Sequence, residues 1–191
     1  MKKLKEIKKV TDLKYLNMYQ NIYSCDGGEE IVYNYASRRD FSNLNANGTK
    51  KVDAVRIVPY YKKDGKIFVV LIKEFRHALN QYIFSTPAGL VDAGELTEQS
   101  AKRELEEEIG ASVISIKSVS KPAYSSAGLT DEMLECFEAE VKLDKEQKLD
   151  NNEEITYFDV PLENLLDFID NNEFCLQSAL QLKYFYYKNS K

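Results

Sequence analysis

Apolar side chains recur along this chain with two periods, and polar breaks separate the segments. Alternation or short apolar runs predict strands. Spacings of three and four residues predict one helix after residue 96 and two near the C-terminus. The strand-like runs are LKYLNMYQNIYS (13–24), EEIVYNYASRR (29–39), VDAVRIVPYY (52–61), KIFVVLIKEFR (66–76), YIFS (82–85), ASVISIKSV (111–119), MLECFEAEVKL (133–143) and EITYFDV (154–160). This order predicts an α+β fold with a mixed sheet and a few helices.

A polar stretch from Ser42 to Thr49 interrupts the apolar pattern and marks a boundary between domains. It predicts a small N-terminal antiparallel β appendage over residues 1–48 and a main domain over residues 49–191. In the appendage, Cys25 to Gly28 form a turn between two strands. Because an isolated hairpin is only marginally stable in water, the appendage must pack on its own domain or on a second subunit.

The helix after residue 96 carries three acids on one side. Glu107 and Glu108 follow Glu104 by three and four residues, so both are its neighbours on the helix surface. The adjacent apolar stripe, which predicts the buried face, consists of Ala101, Leu105 and Ile109. Thr97 is a predicted N-cap, and Gly110 suits a left-handed residue just past the end.

Several acids close together near the C-terminus of a helix destabilise that helix. Each like-charged pair costs about 0.2–0.5 kcal/mol, and the helix dipole adds about 0.3–1 kcal/mol. Costs this small allow a plain solvated acidic face, on this fold or on an unrelated one, which is one interpretation of the segment. A metal site that needs its cation is the other.

Composition narrows the class of protein. The formal net charge of −5 and the sequence pI of about 5.1 argue against a protein that binds nucleic acids or anionic membranes in general. The N-terminal residues lack the apolar core of a secretory signal, which predicts a cytoplasmic protein. Cys25, Cys136 and Cys175 are widely and irregularly spaced, as free thiols are. His77 is the single histidine, so a histidine-based metal cluster is excluded.

The acidic helix lies in a longer framework of fixed spacing: Gly89, five residues, Glu95, seven residues, then Arg103 to Glu108 and Gly110. This framework resembles the Nudix box, Gx5Ex7REUxEExGU with U a bulky apolar residue. The one departure is Ala111, which is smaller than the usual last U. The resemblance implies the Nudix α/β/α sandwich and hydrolysis of a nucleoside diphosphate linked to another group.

Oxygen ligands without imidazole or thiolate favour Mg²⁺, with Mn²⁺ as a second candidate. The resemblance implies that Glu104 and Glu108 are the main metal ligands. It adds Glu107 as a further ligand or water partner and the main-chain carbonyl of Ala88 as another ligand. Arg103, paired with Glu95, is then expected to orient the ligating acids, and a purely structural role for this pair stays open.

The segment EFRHALNQYIFSTPAGLVDAGE (74–95) resembles the approach to the box in ADP-ribose pyrophosphatases. There an arginine that matches Arg76 contacts the substrate phosphates, a task that suits its planar fork. YNYASRR (33–39) resembles the N-terminal substrate-binding segment of that branch, with Tyr33 as the aromatic that stacks on adenine and Arg38 as a cation. Such proteins commonly exchange N-terminal strands, which predicts a homodimer. The alternatives are a surface arginine at Arg76 and ordinary sheet packing of Tyr33.

Two further acidic loops resemble this branch. SSAGLTDE (125–132) is similar to a loop in which Glu132 contacts substrate or water, with Ala127 where proline is usual. The loop at 150–154 corresponds to one that supplies a catalytic glutamate, for which Glu153 is the preferred match and Glu154 the second. A plain turn acid at Glu132 and solvated loop acids are the alternatives.

The combined expectation is Mg²⁺-dependent hydrolysis of the pyrophosphate bond of ADP-ribose or a related ADP-sugar, giving AMP and a sugar phosphate. Two alternatives remain open. One is a Nudix hydrolase for another derivative such as GDP-mannose or NADH, because the box holds the shared diphosphate and not the variable ends. The other is a nucleotide-sugar-binding module without turnover.

Overall fold

The computed structural model describes residues 2–39, 51–151 and 153–190. The chain divides into two compact units, one of Met1–Val52 with Ala123–Met133 and the other of Asp53–Pro122 with Leu134–Lys191. The predicted division at residues 48 and 49 lies outside the described residues and stays a prediction. The inclusion of Ala123–Met133 in the N-terminal unit did not follow from the sequence.

The N-terminal unit contains a three-stranded antiparallel sheet in the order β1 (Lys3–Lys9), β2 (Asn17–Ser24) and β3 (Glu30–Ser37). Tyr19 is 1% exposed, stacks on Tyr35 of the facing strand and donates a hydrogen bond to the Arg39 carbonyl at 2.9 Å. The predicted appendage is therefore confirmed as an antiparallel sheet. Its first strand is a difference from the prediction, because the lysine-rich β1 has no clear apolar alternation. The two-residue strand β9 (Ala123–Tyr124) also belongs to this unit.

The larger unit is built on a mixed sheet. Its strands are β4 (Ala54–Lys63), β5 (Lys66–Arg76), β6 (Gln81–Ser85), β7 (Ala88–Leu90), β8 (Ala111–Ser118), β10 (Met133–Leu143) and β11 (Ile155–Pro161). The main path of the sheet is β11-β5-β4-β10-β8. β10 runs parallel to β4, whereas β5 is antiparallel to β4 and β8 to β10. The short strands β6 and β7 pair with β5 and β4.

Helices cover both faces of this sheet. The first, α1 (Thr97–Ile109), packs on one face, and α2 (Leu165–Asp170) and α3 (Leu176–Asn189) pack on the other, after a 3-10 turn at Leu162–Asn164. Successive residues of the central strands therefore enter different cores, which explains their continuous apolar runs. The core under α1 contains Val55, Ile57, Val70, Ile72, Ala101, Leu105 and Ile109, and that under α3 contains Val58, Val69, Leu71, Leu165, Leu182 and Phe185. The predicted α/β/α sandwich is confirmed.

The ends of α1 differ in how well the sequence anticipates them. Gly110 is the C-cap with φ 62°, as predicted. The predicted N-cap at Thr97 is wrong, because Thr97 is the first helical residue and Leu96 is the N-cap. Instead of a side-chain oxygen at the cap, the Gln99 Oε1 reaches back and accepts the Leu96 N–H at 2.9 Å.

Within the described residues, none of the helices combines the length and the apolar character that crossing a membrane requires.

Candidate active site

The packing of α1 decides which of its acids are buried. Its apolar stripe is fully inaccessible, and this draws the neighbouring Glu104 and Glu108 inward, to 8% and 3% exposure. Glu107 stays half-buried. Two carboxylates are thus held in the protein interior by a helix face that the core requires.

The strand β7 meets this face of the helix. Gly89 stands opposite Val55 of β4, and a Cβ atom at Gly89 would overlap the carboxylate of Glu104. Next to it, the Ala88 N–H donates to Glu108 Oε2 at 3.3 Å. The glycine of the motif is therefore needed because the Glu104 carboxylate occupies the space of its missing side chain.

Arg103 connects the acids to one another. Its Nε and Nη2 atoms donate to the two Glu95 oxygens at 3.2 and 3.1 Å. Its Nη1 atom donates to Glu104 Oε1 at 2.7 Å and Glu107 Oε2 at 3.0 Å, and Nη2 also reaches the Leu90 carbonyl at 2.9 Å. One planar guanidinium thus fixes the direction of three carboxylates and the end of β7.

The pKa values of these acids are shifted in opposite directions. Hydrogen bonds from Arg103 and Ser100 lower the pKa of Glu95 to about 2. Burial raises the pKa of Glu104 in spite of the Arg103 contact. Burial, followed by the repulsion of Glu104 and of Glu74, raises the pKa of Glu108 well above its usual value. Glu108 forms no ion pair within the described residues, and it accepts a hydrogen bond from the Ala88 N–H.

Glu104 and Glu107 line a cavity of 490 Å³, and Asp92, Asp150 and Glu153 are further acids around it. A buried acid without a cation and an oxygen-only donor set fit a hard divalent ion. Among the described residues, no three acids already converge as a ligand sphere. The lining residues are Ala88, Gly89, Leu90, Asp92, Arg103, Glu104, Glu107, Lys148, Asp150 and Glu153.

A second cavity of 190 Å³ lies on the side of Glu108. It is bordered by Arg76, whose Nη2 atom pairs with Glu74 Oε1 at 2.7 Å. Glu153 borders both cavities, whereas Glu154 borders only the second and accepts a hydrogen bond from the Tyr82 hydroxyl. The structure thus brings the predicted Arg76 and Glu153 together with the acids of the box.

Two residues at these cavities were absent from the sequence interpretation. Glu74 is 9% exposed on β5 and repels Glu108. Its signal is an acid at an inward position of an otherwise apolar strand, two residues before Arg76. Lys148 is a cation at the edge of an acidic cavity, and no spacing rule connects it to the motif.

The other predicted substrate residues lie in the N-terminal unit. There the Tyr33 hydroxyl donates to the Gly128 carbonyl at 2.7 Å, and Arg38 Nε lies 3.7 Å from Glu132 Oε1. Tyr33 is 45% exposed and borders a cavity of 260 Å³. That cavity is lined by Asn21, Tyr23, Tyr33, Tyr35, Tyr124, Ala127, Thr130 and Asp131.

Comparison with known proteins identifies the class. Residues 50–174 match the NUDIX domain, more than half of the chain, and the protein belongs to the Nudix family. It is 32% identical to an ADP-ribose pyrophosphatase of Saccharomyces cerevisiae over 171 residues, 85% of this chain and 71% of that protein. It is 33% identical to Putative nudix hydrolase 2 of Caenorhabditis elegans over 126 residues, 62% of this chain and only 56% of that protein's length.

Among solved structures, an ADP compounds hydrolase superposes with a TM-score of 0.76 at 21% identity, over 99% of this chain and 95% of that one. At this identity the likeness shows the fold. The Nudix family and its ADP-ribose pyrophosphatase-like branch, predicted from the residues around α1, are confirmed, as is the prediction of a Nudix hydrolase. Nudix hydrolases use divalent metal ions, which agrees with the acids described above.

Gly89→Ala is expected to displace the Glu104 carboxylate, because the added methyl group would occupy its place. Affinity for Mn²⁺, measured by calorimetry, is expected to fall about 10- to 100-fold. Gly27→Ala is the matched control, since a Cβ there meets open space. Unchanged affinity in Gly89→Ala would show that the position of Glu104 does not govern cation binding.

The raised pKa of Glu108 gives the metal-free protein a defined pH dependence. The folded state holds this proton more tightly than the unfolded state, so stability is lost as pH rises above the ordinary glutamate value. In chelator at pH 8, Glu108→Gln is expected to be more stable than wild type by about 1–3 kcal/mol in urea unfolding. The gap is expected to shrink at pH 5.

Glu98→Gln is the control. The Glu98 carboxylate is exposed and pairs with Lys102 on the same helix, so this variant is expected to have wild-type stability at both pH values. A Glu108→Gln protein that is less stable than wild type at pH 8 would contradict an uncompensated charge at this position.

Proposed function

We propose that this protein hydrolyses the pyrophosphate bond of ADP-ribose or a related ADP-sugar and releases AMP and a sugar phosphate. The observation that carries the proposal is the buried pair Glu104 and Glu108 in a chain of the Nudix family, with Glu104 lining the 490 Å³ acidic cavity and Glu108 lining the 190 Å³ cavity. The resemblance of residues 74–95 to ADP-ribose pyrophosphatases and the yeast relative of that name support the substrate class.

In this proposal Mg²⁺, or Mn²⁺ in its place, is held by the carboxylates of Glu104, Glu107 and Glu108 with the Ala88 carbonyl. When bound, such an ion neutralises the charge of the diphosphate and acidifies water. Arg103 orients the acids through its bonds to Glu104 and Glu107. The role of the buried acids is thus to hold the cation against the substrate.

The chain's own groups then act on the diphosphate and the attacking water. Arg76, at the edge of the second cavity, binds phosphate oxygens through its guanidinium. In this proposal Glu153, which borders both cavities, accepts the proton of water as the water oxygen bonds to phosphorus. The bond between that phosphorus and the bridging oxygen breaks, and the bridging oxygen leaves with the second phosphate.

The resemblance of residues 33–39 and 125–132 to substrate-binding segments of this branch supports Tyr33, Arg38 and Glu132 as proposed substrate contacts. Tyr33 presents an aromatic ring at a tyrosine-lined cavity, a surface suited to stacking on adenine. Arg38 and Glu132, which pair at 3.7 Å, supply a cation and an acceptor for substrate contacts. Polar groups of this kind distinguish one base or sugar from another, whereas the box does not.

We also place the protein in the cytoplasm. Cys25, Cys136 and Cys175 are free, half-buried thiols, as is usual in a reducing compartment. Cell fractionation with an antibody against the chain tests this assignment.

With Mg²⁺, the purified protein is expected to release AMP from ADP-ribose, with products separated by chromatography. Glu108→Gln is expected to lower kcat at least about 100-fold, because it removes a metal-holding charge. The control Glu163→Gln alters an exposed acid that pairs with Lys66 and is expected to retain activity.

Two outcomes would overturn parts of this proposal. Cleavage of GDP-mannose or NADH without cleavage of ADP-ribose would replace the substrate assignment. Binding of ADP-ribose by wild type and Glu108→Gln alike, with hydrolysis by neither, would favour a binding module instead of an enzyme.

The N-terminal unit also supports a proposed homodimer. Apolar side chains of its strands and loops remain 42–69% exposed, as at an interface. They are Val10, Leu13, Tyr15, Leu16, Met18, Val32 and Tyr33. Light scattering is expected to give twice the 22.0 kDa chain mass, and Met18→Lys with Val32→Lys is expected to give the monomer.

Leu180→Lys alters an equally exposed apolar residue of α3 and is expected to leave the dimer intact. A dimer that survives the changes at Met18 and Val32 but dissociates in Leu180→Lys would move the interface to α3.

A further inference from the structure

The segment Asp144–Asn151 lies along the C-terminal end of α1. The last carbonyls of a helix have no partner within the helix, and here this distant segment supplies donors for them. Three hydrogen bonds do so: Lys145 N–H to the Gly110 carbonyl at 2.9 Å, Gln147 Nε2 to the Glu108 carbonyl at 2.5 Å, and Lys148 N–H to the Glu107 carbonyl at 2.9 Å. The carbonyls of two candidate metal-holding residues are therefore tied to this segment.

Glu106 adds an ionic contact to the same place. Its two carboxylate oxygens accept from Lys145 Nζ at 2.5 Å and Lys148 Nζ at 2.8 Å. It occupies the unspecified position x of the REUxEE core of the motif, and it does not line either cavity at the acids. One exposed pair contributes little, but two lysines on one carboxylate beside three hydrogen bonds form a network.

Gly110 permits this close approach. A Cβ atom there would overlap the main-chain carbonyl of Lys145, and its φ of 62° already disfavours other residues. The glycine that ends α1 thus serves two purposes, since it terminates the helix and admits the segment.

We call the contacts between this segment and the C-terminal end of α1 the dock. The segment leads directly to Glu153. The Glu153 N–H donates to the Asp150 carbonyl at 2.9 Å, and the Asp150 N–H donates to Glu153 Oε2 at 3.1 Å. Asp150 lies two residues after Lys148, which is fixed to α1. On the other side of Glu153, the Glu154 carbonyl accepts a hydrogen bond from the Phe75 N–H at 3.3 Å, so Glu153 is held at the two cavities from both sides, and α1 fixes the N-terminal side.

We propose that Glu106 is a positioning residue that fixes Glu153 at the site through Lys145 and Lys148. The helix that presents the metal-holding acids on one side thereby aligns a proton-accepting acid through its opposite side. The effect of Glu106 on catalysis rests on the proposed hydrolysis, whereas the contacts of the dock do not depend on it.

Hydrogen exchange in the full chain tests the dock without any substrate. In Glu106→Gln, the amides of Lys145 and Lys148 are expected to exchange about 5- to 30-fold faster than in wild type. Glu98→Gln removes another glutamate–lysine pair of α1 and is the matched control, with wild-type exchange expected at both amides. Equal exchange in Glu106→Gln and wild type would overturn the proposal.

Charge reversal separates positioning from a general loss of structure. Glu106→Lys is expected to free the segment, and the triple variant that adds Lys145→Glu and Lys148→Glu is expected to restore slow exchange. In the active enzyme, Glu106→Gln is expected to lower kcat about 5- to 30-fold with unchanged Mn²⁺ affinity. An equal fall in Mn²⁺ affinity would overturn the proposal, since Glu106 would then act on the ligating acids themselves.

These measurements distinguish two failures. If wild type cleaves none of the nucleotide sugars, the proposed function fails, and hydrogen exchange still decides the dock. If wild type cleaves ADP-ribose and Glu106→Gln retains full kcat with fast exchange, the dock exists but does not position Glu153, and the proposal fails alone.

Discussion

The burial of two carboxylates in the last turns of α1 is the constraint on which the site depends. The core takes Leu105 and Ile109 completely, and Glu104 and Glu108 follow because they share the helix with them. Their negative charge opposes the helix dipole as well as desolvation. A bound cation would offset both costs, and the free energy that disfavours the unpaired carboxylates would then contribute to affinity for the ion.

Two sets of contacts offset the unfavourable charge at this end of α1. One comes from Arg103, and the other comes from the segment after Asp144. Arg103 balances part of the charge from within the site, through Glu95, Glu104 and Glu107. The segment supplies donors and cations to the C-terminal end of the helix, where the dipole is negative. Arg103 also donates a hydrogen bond to the Leu90 carbonyl of β7, the strand in which Gly89 lies against the Glu104 carboxylate.

Sequence reasoning is strongest where local spacing determines the structure and weakest where distant residues meet. The helix, its buried stripe and the αL position of Gly110 follow from spacings of three and four residues. The lysine-rich β1 does not, because pairing with β2 makes it a strand. Glu74 and Lys148 reach the site through the sheet and through a loop, neither of which a motif describes.

Glu106 shows what an unspecified motif position can hold. A motif specifies only the positions that the shared chemistry requires, and the chemistry of the box requires nothing at this one. The side chain there faces away from the cavity, so it is free to pair with whatever segment the individual protein packs on that side. Here that segment carries Lys145 and Lys148 and leads to Glu153. Under the role proposed for Glu106, a residue outside the shared chemistry would alter the reaction rate, because it would set where the loop holds Glu153.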